Sequence, residues 1–132
     1  MALEHSFCIE ENTEKMDEVL VPDDLITYIS DSLYWIVSLW NGHDAKNGLP
    51  YYGWATIEGD EIVKLKKILI QWKELFFLAN EEIKITGNYL PQVMKYEKIV
   101  FSKSELLEII DRLIQLCSKA ERMHTYISYS GI

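Results

Sequence analysis

An imidazole beside a carboxylate is the smallest unit that can move a proton, and this chain offers one, His43 followed by Asp44. Such a pair could act as a general base. Adjacent side chains rarely aim at one another, however, and Asp44 suits a turn equally well. The other histidines, His5 and His124, lie far off in sequence, and no two stand four residues apart as a helical zinc pair requires. The glycines form neither a dinucleotide fingerprint nor a phosphate-binding loop, and no serine sits in a Gly-x-Ser-x-Gly elbow. Cys8 and Cys117 match no metal or redox spacing, and Cys117 falls on the apolar face of an expected helix. The expectation is a protein that is not an enzyme, with no metal site and no cofactor.

Charge carries the stronger signal. Up to Asp24 the chain holds eight acids (Glu4, Glu10, Glu11, Glu14, Asp17, Glu18, Asp23, Asp24) against Lys15 alone, so this stretch supplies seven of the eight net negative charges. The body that follows is nearly neutral. Charge this lopsided suits an acidic contact surface and a basic partner. The apolar residues Phe7, Ile9, Met16, Val19, Leu20 and Val21 interrupt the acids. A segment of both kinds is expected to pack on the body and present carboxylates outward. Direct nucleic-acid binding is not expected, because the pI is near 4.8 and lysines and arginines form no cluster.

The elements that must position these groups read as helices. Leu25, Ile29, Leu33, Ile36 and Trp40 recur at helical spacing, which predicts a helix from about Asp24 to Asn41, entered at Pro22 and Asp23 and stopped by Gly42. Tyr28, Tyr34, Trp35 and Val37 widen its apolar face, so it is the expected central helix. A second helix starts near Asp60 and runs to about Asn80, with Ile62, Leu65, Leu69, Trp72 and Phe76 on one face. A third begins with the capping pair Ser102 and Glu105 and carries Leu106, Ile110, Leu113, Cys117 and Ala120 inward, with Glu108 and Arg112 paired outside. Trp35, Trp40 and Trp72 read as core. Between the last two helices, short runs at Ile83–Thr86 and Lys98–Phe101 suggest a hairpin, and the tail from His124 alternates like a strand. The fold expected is a single domain over residues 1–132, mainly α, a bundle of about three long antiparallel helices with minor β structure in the 81–101 connection.

From Gly42 to Gly59, four glycines and Pro50 predict a long loop that gathers Tyr51, Tyr52 and Trp54. Exposed tyrosines and tryptophans are frequent binding anchors. The expected partner-binding residues are therefore Glu10, Glu11, Glu14, Asp17, Glu18, Asp23 and Asp24 on the acidic stretch, with His43, Asp44, Tyr51, Tyr52 and Trp54 on the loop. A competing possibility is a regulatory or small-molecule-binding helical module, its pocket between the first helix and the loop 42–59 and lined by Tyr51, Tyr52, Trp54 and His43. Self-association through the first helix is a further one. No apolar run is long enough to cross a membrane and no secretory signal is visible, so a soluble, cytoplasmic protein is expected.

One stretch carries a resemblance, running from Trp72-Lys-Glu-Leu-Phe-Phe through Ile85-Thr-Gly-Asn-Tyr to Ser102-Lys-Ser-Glu-Leu-Leu. Together with the size, acidity and aromatic content, it makes the chain similar to the small cytoplasmic immunity proteins of bacterial toxin systems, such as contact-dependent inhibition and related polymorphic toxins. The likeness covers roughly a third of the chain. It implies a protein that binds a cognate toxin domain, often a basic nuclease, and blocks it. On that basis the N-terminal acids would steer the encounter and the loop aromatics would anchor it.

Overall fold

The computed structural model describes residues 3–11 and 14–132; Met1, Ala2, Asn12 and Thr13, the last two within the acidic stretch, lie outside it. It is an α+β fold, not the expected helical bundle. In chain order it runs β1 (Glu4–Glu11), β2 (Glu14–Pro22), α1 (Asp23–Leu33), β3 (Val37–Trp40), β4 (Asp44–Asn47), β5 (Trp54–Ile57), α2 (Asp60–Phe77), β6 (Glu82–Leu90), β7 (Lys95–Ser102), α3 (Lys103–Met123) and β8 (Ile127–Ser130). Six strands form one antiparallel sheet in the order β2-β1-β8-β5-β3-β4, and β6 with β7 forms a separate hairpin. The last strand therefore sits between the first and the fifth, which ties both ends of the described chain into the middle of the sheet.

The acidic stretch supplies the first two strands. Phe7 and Ile9 on β1 and Val19 and Val21 on β2 point to one face and are buried, the period-two pattern of a half-covered sheet. Across the sheet the register sets Val19, Phe7, Tyr129, Ala55 and Trp40 side by side on that inner face. The helices complete the core there. α1 contributes Leu25, Ile26, Ile29 and Leu33, α2 contributes Ile62, Leu65, Leu69 and Phe76, and α3 contributes Leu106, Ile110, Leu113, Leu116, Cys117 and Ala120. α2 and α3 pack on each other, while α1 touches β1, β2, α2 and β6.

The outer face differs. Its neighbouring rows are Leu20–Ser6–Ser130–Trp54 and Glu18–Cys8–Ser128–Thr56–Leu39. Leu20 is 43% and Trp54 47% exposed, and Glu18 and Ser130 are exposed too, whereas Cys8 and Thr56 in the second row are buried.

The helix expected over 24–41 ends at Leu33. Val37–Trp40 leaves it as β3 because pairing with β4 and β5 satisfies both of its edges. Short apolar runs fit either period, and here the sheet decides. Tyr34 and Trp35 fall in the turn between them, each 63% exposed, so Trp35 is not a core residue. Trp40 and Trp72 do pack against the core, half-buried. The expected loop 42–59 holds β4 and β5. Its Asn41-Gly42 pair has φ of 57° and 83°, which makes it the hinge of the β3–β4 hairpin rather than a helix stop.

The other two helices lie where the periodicity put them, with different caps. α2 is entered at Gly59, not Asp60. Ser102 is the N-cap of α3, but its hydroxyl meets Ser104 Oγ at 2.9 Å, and no side chain caps the backbone. Arg112 reaches Glu18 O at 3.3 Å, away from Glu108. The hairpin expected between 81 and 101 is β6–β7, and the alternating tail is β8. No helix among the described residues is long and apolar enough to cross a membrane.

Cys117 lies buried between α3 and its neighbours, and burial, followed by the charge of Glu121, pushes its thiol from 9.0 up to about 12. A raised pKa favours the protonated form in the folded state. Its contribution to stability is therefore complete below pH 9.0 and is lost as pH climbs toward about 12. In urea titrations the loss of stability above about pH 9 should be steeper for the wild type than for Cys117→Ala. Parallel alkaline profiles for the two proteins would contradict this.

Candidate functional site

The residues picked out by type and spacing separate into several places. Glu10, Glu11 and Glu14 stand at the far end of the β1–β2 hairpin, with Glu11 and Glu14 directly opposite each other and Glu10 opposite Lys15. None of the three forms an ion pair among the described residues. Like charges placed opposite across a ladder cost stability, so this end is a local liability of the fold. Asp17 pairs with Lys119 of α3 at the seam of β2 and α3. Glu18 accepts from Lys15 Nζ at 2.8 Å and Ser6 Oγ at 2.7 Å, and these partners hold its carboxyl below the usual range. Asp24, exposed on the first turn of α1, is raised by burial and then by the nearby charges of Asp23 and Glu97.

On the former loop, His43 and Asp44 lie at the β3–β4 turn with Nδ1 and Oδ1 3.3 Å apart, both well exposed. Open solvent on all sides leaves that pair without the fixed, desolvated setting that makes a strong base. Tyr51 and Tyr52 stack edge-on at 4.8 Å between ring centres. Trp54 opens β5, its ring so close to Gly42 that a Cβ there would meet it at 2.9 Å.

Asp23 of the acidic stretch and Tyr51 of the former loop also meet, around a residue dismissed in the sequence, His5. Its ring is 0% exposed on the inner face of β1, opposite Val21. Nε2 lies 2.8 Å from Asp23 Oδ1, and Nδ1 lies 2.7 Å from the Tyr129 hydroxyl. Tyr129 in turn donates to Pro50 O at 2.9 Å, and Tyr51 donates to Asp23 Oδ2 at 3.1 Å. Both ring nitrogens are thus engaged, Asp23 has two partners, and the Tyr129 hydroxyl lies within reach of both His5 Nδ1 and Pro50 O. Burial, and then the charge of Asp23, raises the Tyr129 hydroxyl above its ordinary value; burial and the bond to Asp23 raise that of Tyr51.

The network thus binds β1, the start of α1, the Pro50–Tyr51 segment and β8. Gly131 reinforces it. Its N–H donates to Gly53 O at 2.8 Å, and a Cβ there would come within 2.2 Å of Tyr51 O. The signal that could have found His5 is period two: His5, Phe7 and Ile9 alternate with acids and small residues, as Val19 and Val21 do on the next strand. Tyr129 sits in the same kind of alternation in β8.

Above this network a cavity of about 410 Å³ opens between α1 and the segment from Leu49 to Tyr51. Its place matches the pocket considered from sequence, yet of the residues expected to line it only Tyr51 does; Tyr52, Trp54 and His43 lie elsewhere.

Comparison with protein-family models, with curated proteins and with solved structures finds no match.

Removing the imidazole leaves the buried Tyr129 hydroxyl and the Asp23 carboxylate each short of a hydrogen-bond partner. His5→Phe should therefore destabilise the fold by about 2 kcal/mol or more in urea unfolding at neutral pH. A loss under about 1 kcal/mol would mean the network carries little of the fold.

Proposed function

We propose that the chain is a non-catalytic immunity protein that docks the outer face of its sheet on a cognate, basic toxin domain in the cytoplasm. What supports this most is one juxtaposition. The helix-free side of the sheet carries Leu20 and Trp54 in a single row across four strands. Three strand spacings of about 4.8 Å set them roughly 14 Å apart, with serines between. That is a contact patch with an exposed tryptophan as its anchor and a leucine at its other end.

Charge adds direction. Glu18 lies in the next row, and the hairpin that forms the edge of the sheet ends in Glu10, Glu11 and Glu14 without ion pairs among the described residues. Carboxylates there would draw in a positive groove and speed encounter, while Leu20 and Trp54 would slow escape. The acids inside the fold have other employment: Asp17 secures α3 and Asp23 secures His5. In this proposal the carboxylates that steer are Glu10, Glu11 and Glu14, not the whole acidic stretch, and the anchoring aromatic is Trp54.

Two variants separate the roles, read by surface-binding kinetics on the toxin domain. Reversal of charge at Glu10, Glu11 and Glu14 should cut the association rate about tenfold and flatten its salt dependence, with dissociation little changed. Trp54→Ala should instead quicken dissociation by about tenfold or more. Kinetics unmoved by both changes would remove the outer face from the interface.

A further inference from the structure

We propose that the cavity between α1 and the Leu49–Tyr51 segment binds a neutral, fused-ring aromatic molecule that carries a hydrogen-bond donor. The site is independent of the toxin-binding face, since Trp40, Tyr129 and His5 belong to the inner side of the sheet. Its volume of about 410 Å³ lies in the range of small-molecule pockets, and α1 roofs it with Ile26 and Leu33. It is a cleft open to solvent on one side, and Trp40, Tyr34 and Tyr51 offer their rings to a flat ligand there.

The polar groups decide the charge of the occupant. At the floor, His5, Tyr129, Tyr51 and Asp23 spend their hydrogen bonds on one another and on Pro50 O. No lysine or arginine among the described residues lines the cavity; Lys46 Nζ stands 4.9 Å over the Trp40 ring, outside the lining. A carboxylate or phosphate seated at the floor would lose its water and find no lysine or arginine partner in the lining, and a cation would find no acid there. The rim offers one group of fixed sense. Ser30 Oγ donates 2.8 Å to Thr27 O, so its remaining capacity is to accept. A ligand hydroxyl or N–H can donate to it, while its rings stack between Trp40 and Tyr34.

The probe is 2-naphthol, with 2-naphthoate as its anionic counterpart, followed by saturation-transfer NMR and by the Trp40 indole N–H signal. Trp40 Nε1 donates to Gly48 O at 3.2 Å, so a ring seated against Trp40 shifts that resonance. The expected result is saturable binding of 2-naphthol with Kd below about 1 mM, a moving Trp40 signal, and binding of 2-naphthoate at least about tenfold weaker. Ser30→Phe fills the mouth from a half-buried position and should abolish binding. Ser30→Ala keeps the space but removes the acceptor, and should weaken binding about threefold or more. The proposal is overturned if 2-naphthol does not bind by about 1 mM. It is equally overturned if naphthoate binds as well, if the Trp40 signal stays fixed, or if a folded Ser30 variant binds like the wild type.

Discussion

An imidazole sealed from water and held at both nitrogens is expensive to place and hard to move. His5 is such a ring, with Asp23 at one side and Tyr129 at the other. Each partner comes from a different part of the chain, and each is fixed by a further bond, to Tyr51 and to Pro50 O. Desolvating these groups is tolerable only when all of them are satisfied together. The position of α1 over the sheet, the seating of β8 between β1 and β5, and the course of the Pro50–Tyr51 segment therefore depend on one another.

From that constraint the two sides of the sheet acquire different jobs. Inward, the rows starting from Val19 and Val21 meet helices and build the core. Outward, serines, Glu18, Leu20 and Trp54 stay accessible. An antiparallel sheet with one covered face is stable in water, so the bare side needs no special defence. The outer side also holds a tryptophan and a leucine, beside a hairpin end whose Glu10, Glu11 and Glu14 form no ion pair among the described residues, and it is the surface the proposed partner would use. The cavity over His5 lies on the opposite side, which allows a small ligand and a protein partner to be held at once.

Much of this was legible residue by residue, and the failures have a physical pattern. α2 and α3 were readable because long stretches keep one period, from Ile62 to Phe76 and from Leu106 to Ala120. β6, β7 and β8 were visible as short alternating runs bounded by turn residues. The first third of the chain misled because charge drew attention away from the alternation His5, Phe7, Ile9 and its partner Val19, Val21. The run Leu25 to Trp40 misled because its spacing fits a helix throughout, while the pairing of Val37–Trp40 with distant strands is invisible to a local pattern. Among candidate site residues, Asp23 and Tyr51 were found by type, but their meeting point was not. His5 and Tyr129 stand 124 residues apart, and only the sheet brings them together.

The outer face of the sheet is the central claim about function, and footprinting tests it most directly. Tagged protein would be recovered from its native cells with whatever it holds. The complex would then be exposed to hydroxyl radicals and carboxyl-labelling reagent, and compared with the free chain. Protection of Leu20 and Trp54, together with the carboxyls of Glu10, Glu11 and Glu14, is the predicted outcome, with a basic protein bound in equal amount. Protection confined to Trp35 and Leu75 on the helical side, or to Val93, Met94 and Tyr96 at the end of the β6–β7 hairpin, would contradict it, because those exposed apolar residues belong to other surfaces of the molecule.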